Sequence, residues 1–474
     1  MENNKFNEYV NYFRKALSIG ESFDIGERNV IVGGREVYLY YVEGFLKSEI
    51  MEQMFHVLLS IPKKEMDERQ NAAEFIKYHL SYAQSVTEKN TDKMIKSLLS
   101  GLLLMVIDGY SEVIVIDLRT YPVRSVQEPE KEKSLRGAKD GFVETLLFNT
   151  NLIRRRIRDP RLICEIHTVG STSKTDVCIV YVKGLVDEKV LKQIRDKIDG
   201  IQQDTLTVGD QSLVEAIGKS RWMNPFPKVR YTQRPDVVCA HLTEGKLAIL
   251  VDNSPTAVMV PTCIFDFIQD TDDYYFPIAT GNYFRFLRVI NMIAVIFLTP
   301  VYLLMAEGDI PIIPRLEFFF PDEGYAMPLF AQFLLLELAI DGLKLASLNT
   351  PSSLGTSLSV VGALILGSFA VDSGWFIPQT ILCMAVLALA GFTQPSIELG
   401  YAIKFMRVLI LIGAAILGVW GALAALIINF IVLARTKNVV GACYLYPLIP
   451  FHWETLRNLI FRTRKSEHVE KSRH

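Results

Sequence analysis

Polar and apolar positions divide the chain into stretches with different rules. Before Arg288, short apolar runs of strand or helix period are broken by charges, and a similar charge density returns after Ala434. Between them Leu, Ile, Val, Ala, Phe and Gly dominate, and nearly all of the charge lies outside this middle. Its runs are long and apolar enough to span a bilayer, so the middle is expected to face lipid.

Residues 289–306, VINMIAVIFLTPVYLLMA, are eighteen uncharged positions flanked by Arg285 and Arg288, and predict a first span kinked at Pro300. Residues 354–371 and 377–392 are separated by a short turn containing DSGW, the pattern of an antiparallel helical hairpin. Residues 408–434 form the longest uncharged run, about 27 positions, enough to span with tilt. The stretch 327–345, MPLFAQFLLLELAIDGLKL, is interrupted by Gln332, Glu337, Asp341 and Lys344. Charge at membrane depth is expensive, which makes Glu337, Asp341 and Lys344 functional by default; a helix lying in the interface would instead keep them in water. Both placements, and a re-entrant one, stay open.

Topology follows from the flanking charges. Arg435, Lys437 and a tail with Arg457, Arg462, Arg464, Lys465, Lys471 and Arg473 predict a cytoplasmic C-terminus. The first twenty residues carry charges and lack the continuous apolar core of a secretory leader, so the N-terminal region is expected in the cytoplasm as well. Two termini on one side require an even number of spans, which four spans plus one interfacial or re-entrant helix satisfy.

The soluble half repeats itself. LYYVEGFL at 39–46 matches IVYVKGLV at 179–186, and Ile50, Met54 and Leu58 fall opposite Val190, Ile194 and Ile198, the same helical stripe after the same strand and glycine turn. SGLLLMVIDG at 100–109 matches EGKLAILVDN at 244–253, each followed by a β-rich run, as in a hairpin turning after the Asp. The expected fold class is α/β plus membrane α-helical: two duplicated α/β cytoplasmic modules (1–125 and 161–280), an arginine-rich connector (126–160), a bundle of four to five transmembrane helices (281–436) and a basic cytoplasmic tail (437–474). In and just after the connector, Arg154, Arg155, Arg156, Arg158 and Arg161 either contact a partner, a second subunit or an anionic leaflet, or form a solvated or salt-bridged helix end stopped by Pro160.

Candidate chemistry narrows the picture mainly by exclusion. The net charge of -2 argues against nucleic acid as a partner. Cys164, Cys178, Cys239, Cys263, Cys383 and Cys443 are scattered without a CxxC pair, which suits a reducing compartment and neither a zinc site nor a disulfide framework. Cys164 and His167 have a spacing that could serve a metal, but no second pair accompanies them, so a structural role is expected. GxxxxGK(S/T), HExxH and GxSxG are absent, and Asp108 and Asp252, repeated in the two modules, are explained by hairpin turns. No catalytic, cofactor-binding or metal-binding residue is therefore expected.

Small residues give the membrane half its clearest pattern. Ser352, Thr356, Ser359, Ala363 and Gly367 recur at three- or four-residue steps and make one small, partly hydroxylated helix face. Such a face either packs closely against a neighbouring helix or lines a narrow pore. Ala414, Gly418 and Ala422 form a second small-residue seam without polar lining, expected to pack as an oligomer seam.

Four longer motifs carry a resemblance: IRRRIRDPR at 153–161, SKTDVCIVY at 173–181, VRYTQRPDV at 229–237 and SLSVVGALILG at 357–367. In this order they resemble the A subunits of GerA-type spore germination proteins over nearly the whole chain. IDGLKLA (340–346), NTPSSLG (349–355) and YLYPLIPF (444–451) are more similar to that family's stage V sporulation branch than to a nutrient-receptor subunit. The resemblance implies a homo-oligomer in the spore inner membrane whose helices enclose a conduit for monovalent cations opened in germination, with the 352–371 helix at or beside the pore. It also implies partners: a small membrane protein for the stage V branch, or B and C subunits for a germinant receptor.

Overall fold

The computed structural model describes residues 2–80, 84–119, 128–129, 132–218, 224–312, 314–321, 326–349 and 370–461. They divide into two compact units, one of Met1–Lys219 with Val229–Thr262, the other of residues 224–228 with those from Cys263 onward.

The first unit contains two five-stranded antiparallel sheets. Strands β1 (Ile25–Val32), β2 (Arg35–Val42), β3 (Gln84–Glu88), β4 (Leu103–Ile107) and β5 (Val113–Asp117) lie in the order β1-β2-β4-β5-β3. Strands β6 (Leu162–Val169), β7 (Thr175–Val182), β8 (Arg230–Thr232), β9 (Leu247–Val251) and β10 (Ala257–Val260) lie in the order β6-β7-β9-β10-β8. The two orders are the same order. β2 starts at Arg35 and β7 at Thr175, an offset of 140, the spacing of the first sequence match.

Helices cover both faces of the first sheet. Val37, Leu39, Leu103, Met105, Ile107, Ile114 and Ile116 point to one face, under Met54 and Leu58 of a helix Ser48–Ser60 and Phe75 of a helix Ala72–His79. Tyr40, Leu104, Val106, Val113 and Val115 point to the other, under Phe6, Val10 and Phe13 of α1 (Glu2–Ala16) and Met94 and Leu98 of a helix Thr91–Leu99. Burial on two faces is why LLMVI in β4 and LAILV in β9 are apolar throughout instead of alternating. The β4–β5 and β9–β10 turns place a left-handed residue at equivalent positions, Gly109 (φ 86) and Asn253 (φ 64), two residue types that tolerate it. Asp252 reaches past its own turn and accepts the Leu146 N–H (3.1 Å), so it caps a helix rather than only its hairpin.

That helix, Leu146–Arg156, corrects the connector. Its place before β6 matches that of α1 before β1, and Leu146, Leu152 and Ile153 belong to the core of the second sheet. Asn149 closes its start, accepting from the Val143 N–H (2.8 Å) and donating to the Val143 carbonyl (2.6 Å). Arg154 is fully buried, with Nε 2.7 Å and Nη2 2.9 Å from the two oxygens of Asp24, which precedes β1. Ser22 donates to Asp24 (2.6 Å) and accepts from the Cys164 N–H (2.9 Å), while the Phe23 N–H donates to the Cys164 carbonyl (3.0 Å). The chain before the first sheet thus seals the outer edge of β6. Arg154 is therefore committed, fully buried, to a bond within the chain. Arg156 pairs with Asp140 (2.5 Å) and Arg161 with Asp159 (2.6 Å), whereas Arg155 and Arg158 lie on the surface.

Removing one side of a buried ion pair leaves a desolvated charge, at a cost of about 3–5 kcal/mol. Arg154→Ala should lower the stability of the first unit by that order, and Arg161→Ala by less than about 1 kcal/mol because its pair is exposed. Urea unfolding of the two variants, compared with the parent, checks the contrast.

Candidate functional site

The second unit is helical. A short helix Asp272–Tyr275 precedes a long helix Ile278–Ala306, followed by Leu329–Asn349, Pro378–Phe392, Ile397–Arg435 and Trp453–Ile460. Among the described residues, Ile278–Ala306 is long and apolar enough to cross a bilayer, and so is Ile397–Arg435 when measured end to end. The start of Ile278–Ala306 is held by Asp273, buried between Arg288 (2.8 Å) and Arg285 (3.2 Å).

Side-chain contacts give the helix directions. Tyr302, near the end of Ile278–Ala306, meets Phe333 in the first turns of Leu329–Asn349 edge-on at 5.8 Å, so these two helices run antiparallel. Buried Gln332 accepts from the Ile377 N–H (3.1 Å) and the Thr380 hydroxyl (2.9 Å), which brings the start of Pro378–Phe392 to the same end. That helix finishes at the opposite end, where Asn291 donates to Thr393 (3.0 Å) and Gln394 to the Arg288 carbonyl (3.3 Å).

Ile397–Arg435 is not one span. A straight helix would hold residues 406 and 429 about 34 Å apart, yet Asn429 Nδ2 donates to the Met406 carbonyl at 3.1 Å. Leu417 (φ -130, ψ 18) and Gly418 (φ 56, ψ -139) leave the helical region, and the chain folds back as a hairpin of two arms. Gly413 and Gly421 let the arms touch: a Cβ on either would run into the other's carbonyl oxygen, and one on Gly418 into the Asp309 carboxylate. This corrects both the single 408–434 span and the seam of Ala414, Gly418 and Ala422. Gly418 is the turn itself, and Ala414 is buried in the chain's own core. A tight reversal inside an uncharged run leaves no polar punctuation in the sequence. The second arm returns to the end where Ile278–Ala306 begins, for the Ile264 N–H donates to the Tyr444 carbonyl (3.0 Å) and Asn224 to Thr436 (2.9 Å).

Between Leu329–Asn349 and the first arm lies a buried charge cluster. Glu337 and Asp341 are one turn apart on one helix, and Lys404 and Arg407 nearly one turn apart on the other, so each pair shares a face. Arg407 pairs with Glu337, and Lys404 with both Glu337 (3.2 Å) and Asp341. Arg407 Nη1 also donates to the Val295 carbonyl (3.3 Å), tying in the long helix about 10 Å beyond Arg288. Glu337 and Arg407 are each 5% exposed. Two negative and two positive groups sum to zero, the condition under which charges survive away from water.

Glu337 is thus buried inside the helical packing, while Asp341 stays partly exposed at the edge of the cluster, paired with Lys404. Lys344 stands apart from them, its ammonium 5.5 Å from the Phe392 ring and 5.8 Å from that of Tyr401. The sequence reading missed Lys404 and Arg407 by treating the middle as nearly uncharged; opposite charges at matching helical spacing on two apolar segments were the available signal. Ser352, Thr356, Ser359, Ala363 and Gly367 lie outside the described residues. Cys164 and His167, three apart on β6, point to opposite faces, Cys164 toward Arg154 and His167 between Glu165 (3.1 Å) and Asp199 (2.7 Å). Burial pushes the Cys239 thiol up to about 12, so it packs as a small apolar group.

A repeated α/β unit joined to apolar helices with an internal charge cluster defines a class of membrane-associated architecture, and sequence comparison gives the family. The chain belongs to the family described as Bacillus/Clostridium GerA spore germination protein, which matches residues 11–474. It is 33% identical to stage V sporulation protein AF of Bacillus subtilis (strain 168), over 96% of this chain and 92% of that one. It is 29% identical to spore germination protein KA (94% and 82%) and 27% identical to spore germination protein A1 (94% and 92%) of the same organism. Among solved structures, the N-terminal domain of the A subunit of the Bacillus megaterium spore germinant receptor GerK3 is 26% identical, covering 54% of this chain and 94% of that one, with a TM-score of 0.40.

Breaking the cluster from one side should be worse than removing it. Glu337→Leu leaves Arg407 buried without a carboxylate and should destabilise the protein by about 3–5 kcal/mol, while Glu337→Leu with Arg407→Leu should recover most of the loss. Thermal unfolding in detergent measures both; equal losses would mean that the pair is not desolvated.

Proposed function

We propose that this protein is a membrane subunit of a spore germination complex, whose copies assemble around a conduit in the spore inner membrane and release monovalent cations during germination. The inverted distribution of polarity in the second unit carries this reading. Leu338, Leu382, Val386, Leu389, Ile427 and Phe430 are exposed, while Gln332, Glu337, Thr380, Arg407 and Asn429 are buried. Apolar outside and charged inside is the distribution that lipid imposes. In this reading the N-terminal unit and the C-terminal tail both face the spore core, and the small-residue stripe from Ser352 to Gly367 lines or flanks the conduit. No catalytic step is involved.

The identity to stage V sporulation protein AF favours the stage V branch, and in this version of the proposal the subunit works with a small membrane partner to amplify ion release. The likeness to spore germination proteins KA and A1 favours a second version, an A subunit working with B and C subunits. A non-conducting scaffold is the competing class.

Purified protein in liposomes loaded with a potassium-sensitive dye separates these. A cation leak is expected, and Thr356→Trp should reduce it severalfold. No leak from pure protein, with partners still captured by the N-terminal unit, would leave the scaffold reading instead.

A further inference from the structure

The C-terminal segment after the hairpin carries large exposed apolar side chains. Phe451 (66%) and Trp453 (59%) are exposed, as are Tyr446, Leu448, Ile449 and Phe461, while Leu456 packs inward and Tyr444 is buried against Phe226 and Phe267. The segment is therefore anchored on one side and bare on the other. Its last turn is tied to the long helix by Arg285, whose Nη1 donates to the Leu459 carbonyl at 3.0 Å. Tyr283 and Phe286, which flank Arg285 on the long helix, are exposed too. Two separate parts of the sequence thus bring exposed aromatic rings to the end of the helical unit where Ile278–Ala306 begins.

Charge gathers at the same end. Arg435 and Lys437 close the second arm and are exposed, Arg457 is exposed on the Trp453–Ile460 helix, and Arg462, Arg464 and Lys465 follow in sequence. Only Glu454 opposes them between His452 and Lys465. Aromatic rings prefer the boundary between acyl chains and headgroups, and nearby Lys and Arg are drawn to anionic lipid phosphates. A water-facing helix has no use for this arrangement.

We propose that residues 446–461 form an interfacial foot that lies on an anionic bilayer, with Phe451, Trp453 and Phe461 at the acyl boundary and Arg435, Lys437 and Arg457 on lipid phosphates. The foot is continuous with the apolar surface of the helices it adjoins. It would fix their height and rotation, and it does not depend on ion conduction.

The test uses the full-length protein in vesicles of phosphatidylcholine alone or mixed with phosphatidylglycerol, doped with a nitroxide lipid labelled at the headgroup or near the chain end. The fluorescence of the parent minus that of Trp453→Phe isolates Trp453 from Trp222, Trp375 and Trp420. The headgroup label should quench this difference signal about twofold more than the chain-end label, as for a group seated in the interface. Phosphatidylglycerol should strengthen the quenching and high salt should weaken that gain. Arg435→Glu with Arg457→Glu should abolish the gain, and Arg435→Lys with Arg457→Lys should keep it. Three results overturn the proposal: Trp453 quenched by aqueous iodide and by neither lipid label, Trp453 shielded from all three, or quenching indifferent to lipid charge and to the charge reversal.

Discussion

A guanidinium removed from water has to meet a carboxylate, and the pairing of Arg407 with Glu337 is the contact on which the helical unit depends. Arg407 joins three helices at once, through Glu337 on Leu329–Asn349, the Val295 carbonyl on Ile278–Ala306 and its own place on the hairpin's first arm. Lys404 shares itself between Glu337 and Asp341, so the four charges cancel locally. Apolar side chains could pack these helices in many rotations, because lipid and protein interior are similarly apolar. The charge cluster selects one rotation, since any other strands a charge.

The hairpin extends the same logic from charge to shape. Its arms approach because Gly413 and Gly421 have no side chains, and it turns at Gly418, where the backbone enters a region that residues with a Cβ rarely adopt. Once the arms are closed, Asn429 caps a carbonyl on the opposite arm and the chain returns to the end from which the helices started. The C-terminal segment with its exposed rings is delivered to that end by this reversal.

In the first unit a single buried pair again does the joining. Each sheet is a local product of short apolar strands and a left-handed turn residue, repeated at a nearly constant offset. Arg154, Asp24, Ser22 and the backbone of Cys164 link the chain ahead of the first sheet to the edge of the second. Both internal matches and the family resemblance were legible in the sequence because they rest on periodicity and contiguous motifs. The fate of the arginine-rich stretch was not: five arginines look alike in sequence, and only position relative to Asp24 buried one of them.

What the sequence determined by itself was therefore the local and the repetitive. Hydrophobic period, apolar run length and repeated motifs each depend on residues near one another, so the α/β repeat, the apolar helices and the membership of the GerA family could be read directly. Tertiary structure alone decided which charges meet. Glu337 and Asp341 were recognisable as costly, but their partners lie some 65 residues further along the chain, and nothing local ties Lys404 to Asp341. The same limit hid the hairpin, because an uncharged run reads equally as one long helix or two short ones, and the choice rests on whether two glycine backbones can touch.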